Sequence, residues 1–199
     1  MVYFKACTVS APEIIKFCFS ETHPNQWLKN DPDFDQIITN RFFDVHQLAQ
    51  KGLLFNWREH PLDALAEIIL LAQFSKNIFQ NSSKAYQFDD LALVLSQEAI
   101  RKKYDLELTT EQRRFLYSPF MHSESQVIHE LALFLYDQPG LEESYHRELG
   151  QKKIIDRFGR FPQRNTILNR KSTVEELLFL SNLNHSDASE SVSSRRCLR

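Results

Sequence analysis

Apolar residues recur at three- and four-residue spacing along most of the chain, which is the pattern of helices with one buried face. The clearest helix begins at Asp31-Pro32 and ends at Lys51-Gly52, because proline suits a first helical turn and glycine suits a helix end. Its apolar face comprises Phe34, Ile37, Ile38, Phe42, Val45, Leu48 and Ala49. No segment shows the two-residue alternation of a β-strand, so the pattern predicts an all-α fold.

Three helix starts are predicted from capping boxes, in which Ser or Thr is followed three residues later by Glu or Gln. They are Ser10 with Glu13, Thr109 with Gln112, and Ser172 with Glu175. The helix that begins at Thr109 is expected to stop at Ser118-Pro119, because a proline disfavours helical dihedral angles in the residue before it.

The remaining helices are predicted from periodicity alone. A helix from Pro61 through Leu70 is apolar on most faces and should be the most buried element. Others are expected over 84–103, 127–135 and 142–156, and Trp27 is expected as a packing anchor in a loop. About eight helices in antiparallel pairs would then form one domain over residues 1–184. The Ser-rich residues 185–199 are predicted to be a disordered tail, since they carry little apolar content to offset chain entropy.

Composition narrows the class of protein. The 199 residues are 42% hydrophobic with sixteen Phe and four Gly, which suits one tightly packed core. A net charge of -2 offers no general attraction for nucleic acid or an anionic membrane, and neither partner is expected. The cysteines, Cys7, Cys18 and Cys197, are odd in number and far apart. They are interpreted as reduced thiols of a cytoplasmic protein.

Candidate chemistry concentrates in two short segments, residues 119–124 and 158–165, where charged groups lie among aromatics at helix ends. His122 and His129 would be about 10.5 Å apart along one helix, too far to share an ion with bonds of about 2 Å, so no metal is expected. His122 is interpreted as a helix-start histidine bonded to backbone or to Glu124. Nothing in the chain indicates a cofactor.

An anion site has more support than a metal site. Arg157, Arg160 and Arg164 carry guanidinium groups suited to carboxylate or phosphate, and Lys76, Lys152 and Lys153 are their candidate neighbours. The alternative is a solvated charged face. Arg160 and Arg164 alternate with aromatic residues, which would hold their stems against apolar surface. We therefore predict that the two segments meet, with Glu124 paired to Arg160 or Arg164 beside a pocket that also receives Lys76.

At these residues the chain resembles the bacterial DUF924 family of uncharacterised proteins, over roughly residues 13–181. The resemblance implies a tetratricopeptide-like, right-handed superhelix. The segments that carry it are Phe17-Cys18-Phe19, Trp27, Phe34-Asp35, Trp57, residues 70–77, Asp89 with Ala92-Leu93, residues 119–124 and residues 158–165.

The chain also departs from the family pattern in its polar residues. Ala72 stands where Asp is usual, Lys76 for Arg, His129 for Gln, and Gln151 and Gln163 for His. An amide cannot transfer a proton at ordinary pH, so acid–base work at these positions would be impaired. The retained candidates for ligand binding are Gln73, Lys76, Asn77, His122, Glu124, Arg160, Arg164 and Asn165.

Two classes of function stay open. A helical binding or scaffold module is favoured, because stacked helices present grooves and the chain lacks a complete catalytic set. Its expected partner is a protein or peptide, or a small anionic ligand. The alternative is a hydrolase or transferase acting on a small anionic substrate, with His122 and Glu124 as the candidate catalytic residues.

Overall fold

The computed structural model describes residues 9–22, 26–27 and 31–187. These residues form helices and contain no β-strand, which confirms the all-α prediction. The α-helices are α1 Ala11–Lys16, α2 Pro32–Gln50, α3 Pro61–Ile69, α4 Ser75–Ile78, α5 Asp89–Arg101, α6 Thr110–Met121, α7 Gln126–Tyr136, α8 Glu142–Phe158 and α9 Val174–Asp187. A π-helical turn, Leu70–Phe74, joins α3 and α4 into one rod, so the described residues hold eight helical rods. The superhelical arrangement of the pairs stays a prediction.

The rod from α3 to α4 lies at the centre of the fold, as its apolar sequence predicts. Every residue from Ala64 through Ala72 is buried, and α3 packs against α1, α5 and α6. Leu70 and Leu71 of the π-helical turn are fully buried, and the turn brings Phe74 into the core. Burial on all sides suits the stretch from Ala64 to Leu71, whose one charged residue, Glu67, is paired with Arg58.

An aromatic cluster closes one end of the core, and Trp27 is part of it. Its indole ring stacks on Phe74 with 6.1 Å between centroids and meets Phe34 edge-on at 5.0 Å. The indole Nε1 donates a hydrogen bond to Thr22 Oγ1 at 3.0 Å. Because its one polar atom is satisfied and its ring is buried, Trp27 is the packing anchor that the sequence predicts.

Helix α6 passes through Pro119, so the prediction that it stops at Ser118 is wrong. Proline removes the N–H that would bond to the carbonyl four residues earlier, which is that of Phe115. The Ser118 hydroxyl donates to the Phe115 carbonyl at 2.8 Å and supplies the missing bond. The helix therefore runs three residues further and ends beside His122.

Other predicted boundaries are corrected by one to five residues. Helix α5 begins at Asp89 rather than at Lys84, and a 3-10 turn, Ser83–Tyr86, precedes it. The last capping box pairs Thr173 with Glu176 instead of Ser172 with Glu175. Helix α9 extends to Asp187, three residues into the predicted tail; residues 188–199 lie outside the described part of the chain, as do Cys7 and Cys197.

Two further observations concern the described thiol and the length of the helices. The described thiol, Cys18, is buried and free, and burial raises its pKa. Within the described ranges, no helix is long and apolar enough to cross a membrane.

Candidate functional site

The two polar segments meet in space, as predicted. The Phe161 backbone N–H donates to Glu124 Oε1 at 2.8 Å, and Arg164 Nη1 donates to the His122 carbonyl at 3.0 Å. The first segment comprises the end of α6 and the turn before α7. The second begins at the last residue of α8, which is followed by Gly159 at φ +66°. A left-handed glycine ends α8 there and turns the chain back toward α6.

The ion pairs at this contact differ from the predicted ones. Glu124 binds Arg170 through two hydrogen bonds of 2.6 and 2.9 Å, whereas Arg160 binds Glu176 at 2.6 and 2.9 Å. The predicted pairing of Glu124 with Arg160 or Arg164 is therefore wrong. Arg170 reaches Glu124 because its N–H bonds the Asn165 carbonyl at 2.7 Å and closes the intervening loop.

Arg164 belongs to a separate buried cluster with Lys76 and Asp89. Lys76 Nζ lies 2.6 Å from Asp89 Oδ1, and Arg164 Nη1 lies 3.6 Å from Asp89 Oδ2. Lys76 Nζ also donates to the Ala72 carbonyl at 3.0 Å. All three charged side chains are buried. Two buried cations therefore lie next to a single buried carboxylate. We call these three residues the anion cluster.

Aromatic rings hold both cations of the anion cluster in place. The Arg164 guanidinium lies between the Tyr86 and Phe161 rings, 4.6 Å from each centroid, and Lys76 Nζ lies 5.5 Å from the Tyr86 centroid. Cations over aromatic faces are stabilised by the ring quadrupole. Asp89 and Tyr86 were not among the predicted site residues; the available signal was Asp89 in the family-like segments.

His122 does not begin a helix, which corrects the interpretation from the sequence. It is the residue that follows the end of α6, and its Nδ1 is buried without a hydrogen-bond partner in the described structure. Glu124 is occupied by Arg170 and Phe161, so it does not bind the imidazole. Burial lowers the pKa of His122 well below its usual range, and the charges of Lys76 and Arg164 lower it further. The imidazole is therefore neutral at pH 7.

A second buried pair also holds this turn. His129 Nε2 donates to the Ser123 carbonyl at 2.8 Å, and His129 Nδ1 contacts Glu148 Oε1 at 2.5 Å. Both side chains are fully buried. A carbonyl only accepts hydrogen bonds, so Nε2 carries a proton. Burial raises the pKa of Glu148, although its contact with His129 opposes that change.

The other predicted ligand residues make hydrogen bonds elsewhere. Asn77 Nδ2 donates to Asp35 Oδ1 at 2.5 Å, and Gln73 Nε2 donates to Asn77 Oδ1 at 3.2 Å. Asn165 Nδ2 donates to Ser172 Oγ at 3.1 Å. These contacts tie α4 to α2 and close the loop before α9. The predicted set is thus divided among several networks and does not form one pocket.

Comparison with known proteins places this arrangement in a family. Residues 14–184 match the family described as bacterial proteins of unknown function, DUF924. The chain belongs to the DUF924 family. It resembles a solved structure of a protein of unknown function, ATU0120, from Agrobacterium tumefaciens, at 35% identity and a TM-score of 0.83 over 86% of this chain and 97% of that chain. A comparison with curated proteins found no match.

Several positions that the sequence analysis predicts to depart from the DUF924 pattern lie in or beside the two buried networks. Lys76 is one of the two cations on Asp89, and Ala72 supplies the carbonyl that receives Lys76 Nζ. His129 forms the pair with Glu148. Both polar atoms of the Gln163 amide are buried without a hydrogen-bond partner in the described structure.

Proposed function

We propose that this chain is a helical binding module whose anion cluster, Lys76, Asp89 and Arg164, binds a small anion. The observation that carries the proposal is the charge imbalance: two buried cations face a single buried carboxylate. An uncompensated charge away from water is costly, and a bound anion would balance it. Lys76 Nζ faces a carbonyl and a carboxylate, both acceptors, as a protonated amine requires.

The chemistry of the cluster favours a carboxylate or a phosphate. Arg164 Nε is buried and has no hydrogen-bond partner in the described structure, so this guanidinium keeps a donor for a ligand. A cleft of about 20 Å³ reaches Lys76 and Tyr86 from the surface, which is room for about one water molecule. Gln80 and Asn81 also line the cleft. Neither is fully buried, so rotation of these side chains would widen the entrance.

The test is the melting temperature in phosphate and in succinate, each compared with chloride at equal ionic strength. Ligands that bind only the folded state raise its stability in proportion to the logarithm of their concentration. We expect a melting temperature that rises with the logarithm of the phosphate or succinate concentration for the wild type and for Arg157→Met, which removes an exposed guanidinium that pairs with Glu175. Arg164→Met should show no rise.

Lys76→Met gives a second test in case Arg164→Met fails to fold. It removes one cation and leaves Arg164 to balance Asp89, so it should fold and should lose the response to phosphate. An equal rise in chloride and phosphate, or an unchanged response in Lys76→Met, would overturn the proposal.

A second candidate, hydrolysis or transfer on a small anionic substrate, is favoured by His122 alone. Its neutral imidazole lies near two cations and keeps Nδ1 without a partner, although the lowered pKa makes the ring a weak base. Glu124 is poorly placed for proton transfer, because both of its oxygens accept hydrogen bonds from Arg170 and Phe161. A hydrolase screen in which His122→Ala abolishes turnover while the far-UV circular dichroism spectrum is retained would support this candidate.

A further inference from the structure

His122 lies beside the anion cluster with one imidazole nitrogen unused. Its carbonyl accepts the Arg164 Nη1 hydrogen bond at 3.0 Å, so the turn that carries the imidazole is fixed to one of the two cations. His122 Nδ1 and Arg164 Nε are both buried, and neither has a hydrogen-bond partner within the described ranges. Arg164 as a whole is only 6% exposed. Buried polar atoms without partners are costly, so a group bound at this contact would remove that cost.

The other titratable groups around His122 are already paired. Glu124, two residues further along the same turn, binds Arg170. His129 of α7 uses both of its ring nitrogens, one of them on Glu148 of α8. In this part of the described structure, His122 is therefore the group that can gain a proton and use it in a new hydrogen bond. Protonation places a proton on Nδ1 whichever nitrogen carries the proton of the neutral ring.

The charges of the anion cluster determine when His122 gains that proton. Burial lowers the pKa of His122, and the charges of Lys76, Arg164 and His129 lower it further. An anion bound to Lys76 and Arg164 offsets their repulsion of the imidazolium, so it raises this pKa again. By reciprocity, protonation of His122 strengthens binding of the anion.

The number of charges indicates which anions call for this proton. The anion cluster holds two cations and the Asp89 carboxylate, so it carries one positive charge in excess. A monoanion balances that charge. A dianion brings one further negative charge, which a protonated His122 balances.

On the basis of the proposed function, we infer that the ligand of the anion cluster is a dianion with both charges on one group, as in a phosphate monoester, and that His122 takes up a proton to bind it. The proton comes from solvent, and the imidazolium Nδ1 donates a hydrogen bond to the anion. No covalent bond is made or broken in the ligand. His122 is thereby assigned as a ligand-binding residue that discriminates dianions from monoanions.

The test compares sulfate with methyl sulfate. The two anions share a tetrahedral shape but carry two charges and one, and neither gains or loses a proton near neutral pH. A proton taken up on binding therefore goes to the protein. Calorimetric titration of the full chain in two buffers of different ionisation enthalpy counts these protons. At about pH 6 we expect uptake that approaches about one proton per sulfate and clearly less per methyl sulfate.

The affinity for sulfate should depend on pH in a direction that follows from this linkage. In the free chain the imidazole is neutral, whereas in the complex it holds its proton until the pH passes the raised pKa. The dissociation constant of sulfate should therefore increase with pH below that point, by up to about tenfold per pH unit, and should be constant above it. The dissociation constant of methyl sulfate should change much less.

His122→Asn assigns the proton to this residue, because an amide keeps a polar group in place but does not titrate. This variant should bind sulfate without proton uptake and with an affinity that no longer depends on pH. His146→Asn is the matched control, since it removes an exposed histidine of α8 that bonds the Glu142 carbonyl. It should keep the uptake of the wild type.

Histidine-selective NMR of the wild type gives a second measurement in case His122→Asn fails to fold. The His122 ring resonances should move toward their imidazolium positions as sulfate is added at about pH 6. Equal proton uptake with sulfate and methyl sulfate, uptake that persists in His122→Asn, or unmoved His122 resonances would each overturn the inference. Sulfate still binds in these three cases, so the proposed function would stand. A lack of saturable binding for both sulfate and phosphate would overturn the proposed function and this inference with it.

Discussion

The Glu124 carboxylate accepts hydrogen bonds from both terminal nitrogens of the Arg170 guanidinium, at 2.6 and 2.9 Å, and one from the Phe161 N–H. The two residues before Glu124 are also held through their carbonyls, His122 by Arg164 and Ser123 by His129. His122 and Glu124 are thus tied to side chains more than 40 residues away, and Ser123 is tied to the first part of the next helix. Their position depends on charge pairing as much as on the flanking helices.

The first prediction concerns the ion pair between Glu124 and Arg170. Both side chains are about three-quarters buried, which places the pair between the exposed and the fully buried cases. Glu124→Gln and Arg170→Met should each lower the free energy of unfolding by about 1–3 kcal/mol. The double variant should lose clearly less than the sum of the two, as measured by urea unfolding.

Glu124→Gln combined with Arg160→Met is the control for that cycle. Arg160 pairs with Glu176, so these two losses should add to within about 0.5 kcal/mol. Strong coupling between Glu124 and Arg160, with additivity for Glu124 and Arg170, would mean that the pairing described above is wrong.

A second prediction follows from the charge imbalance of the anion cluster. Asp89→Asn leaves two buried cations without a counter-charge and should cost about 3–5 kcal/mol. Lys76→Met leaves Arg164 and Asp89 as a neutral pair and should cost much less. Added phosphate should raise the free energy of unfolding more in Asp89→Asn than in the wild type. Equal losses in the two variants in chemical unfolding would show that the cluster does not carry an excess positive charge.

The third prediction concerns the hydrogen bond that replaces the one lost at Pro119. Ser118→Ala leaves the Phe115 carbonyl without the hydroxyl that bonds to it, and it should cost about 1 kcal/mol. Pro119→Ala supplies a backbone N–H to the same carbonyl, so in that background Ser118→Ala should cost much less. Urea unfolding of the four variants of the cycle measures the difference. An unchanged cost would show that the hydroxyl does not substitute for the N–H.

Local patterns predicted most of the fold, because helix periodicity and caps depend on neighbouring residues. The capping boxes at Ser10 and Thr109 are present as predicted. The third was ambiguous, since Ser172-Thr173 is followed by Glu175-Glu176 and both registers fit the pattern. The choice is made by Asn165, which donates to Ser172 and leaves Thr173 to cap α9. That contact belongs to the loop and cannot be derived from spacing.

The site was harder to predict, because its pairs join residues far apart in sequence. The sequence argument placed Glu124, Arg160 and Arg164 in one neighbourhood, which is correct, but it named Arg160 or Arg164 as the partner of Glu124 and left out Arg170. Closure of the loop by the hydrogen bond from Arg170 to Asn165 decides that choice. The pair of His129 and Glu148 was missed for the same reason, since nothing near Glu148 in sequence indicates a buried partner.

The last prediction is a pH dependence of stability that arises at Glu176. Its carboxylate binds Arg160 and accepts the Thr173 N–H, and the Arg160 bonds lower its pKa from 4.5 to about 2. As pH falls from about 5 to 2, the unfolded chain takes up a proton before the folded one does, so stability is lost in this window and is fully present above it.

Glu176→Gln keeps the cap, because Gln also suits this position, but removes the charge. We expect this variant to lower the free energy of unfolding by about 1–3 kcal/mol at pH 7. The decline in stability between pH 5 and 2, measured as the midpoint of urea unfolding, should also be less steep than in the wild type. Glu175→Gln, which alters the exposed pair with Arg157, should keep the wild-type slope. A decline in Glu176→Gln as steep as that of the wild type would show that the acid sensitivity lies in other carboxylates.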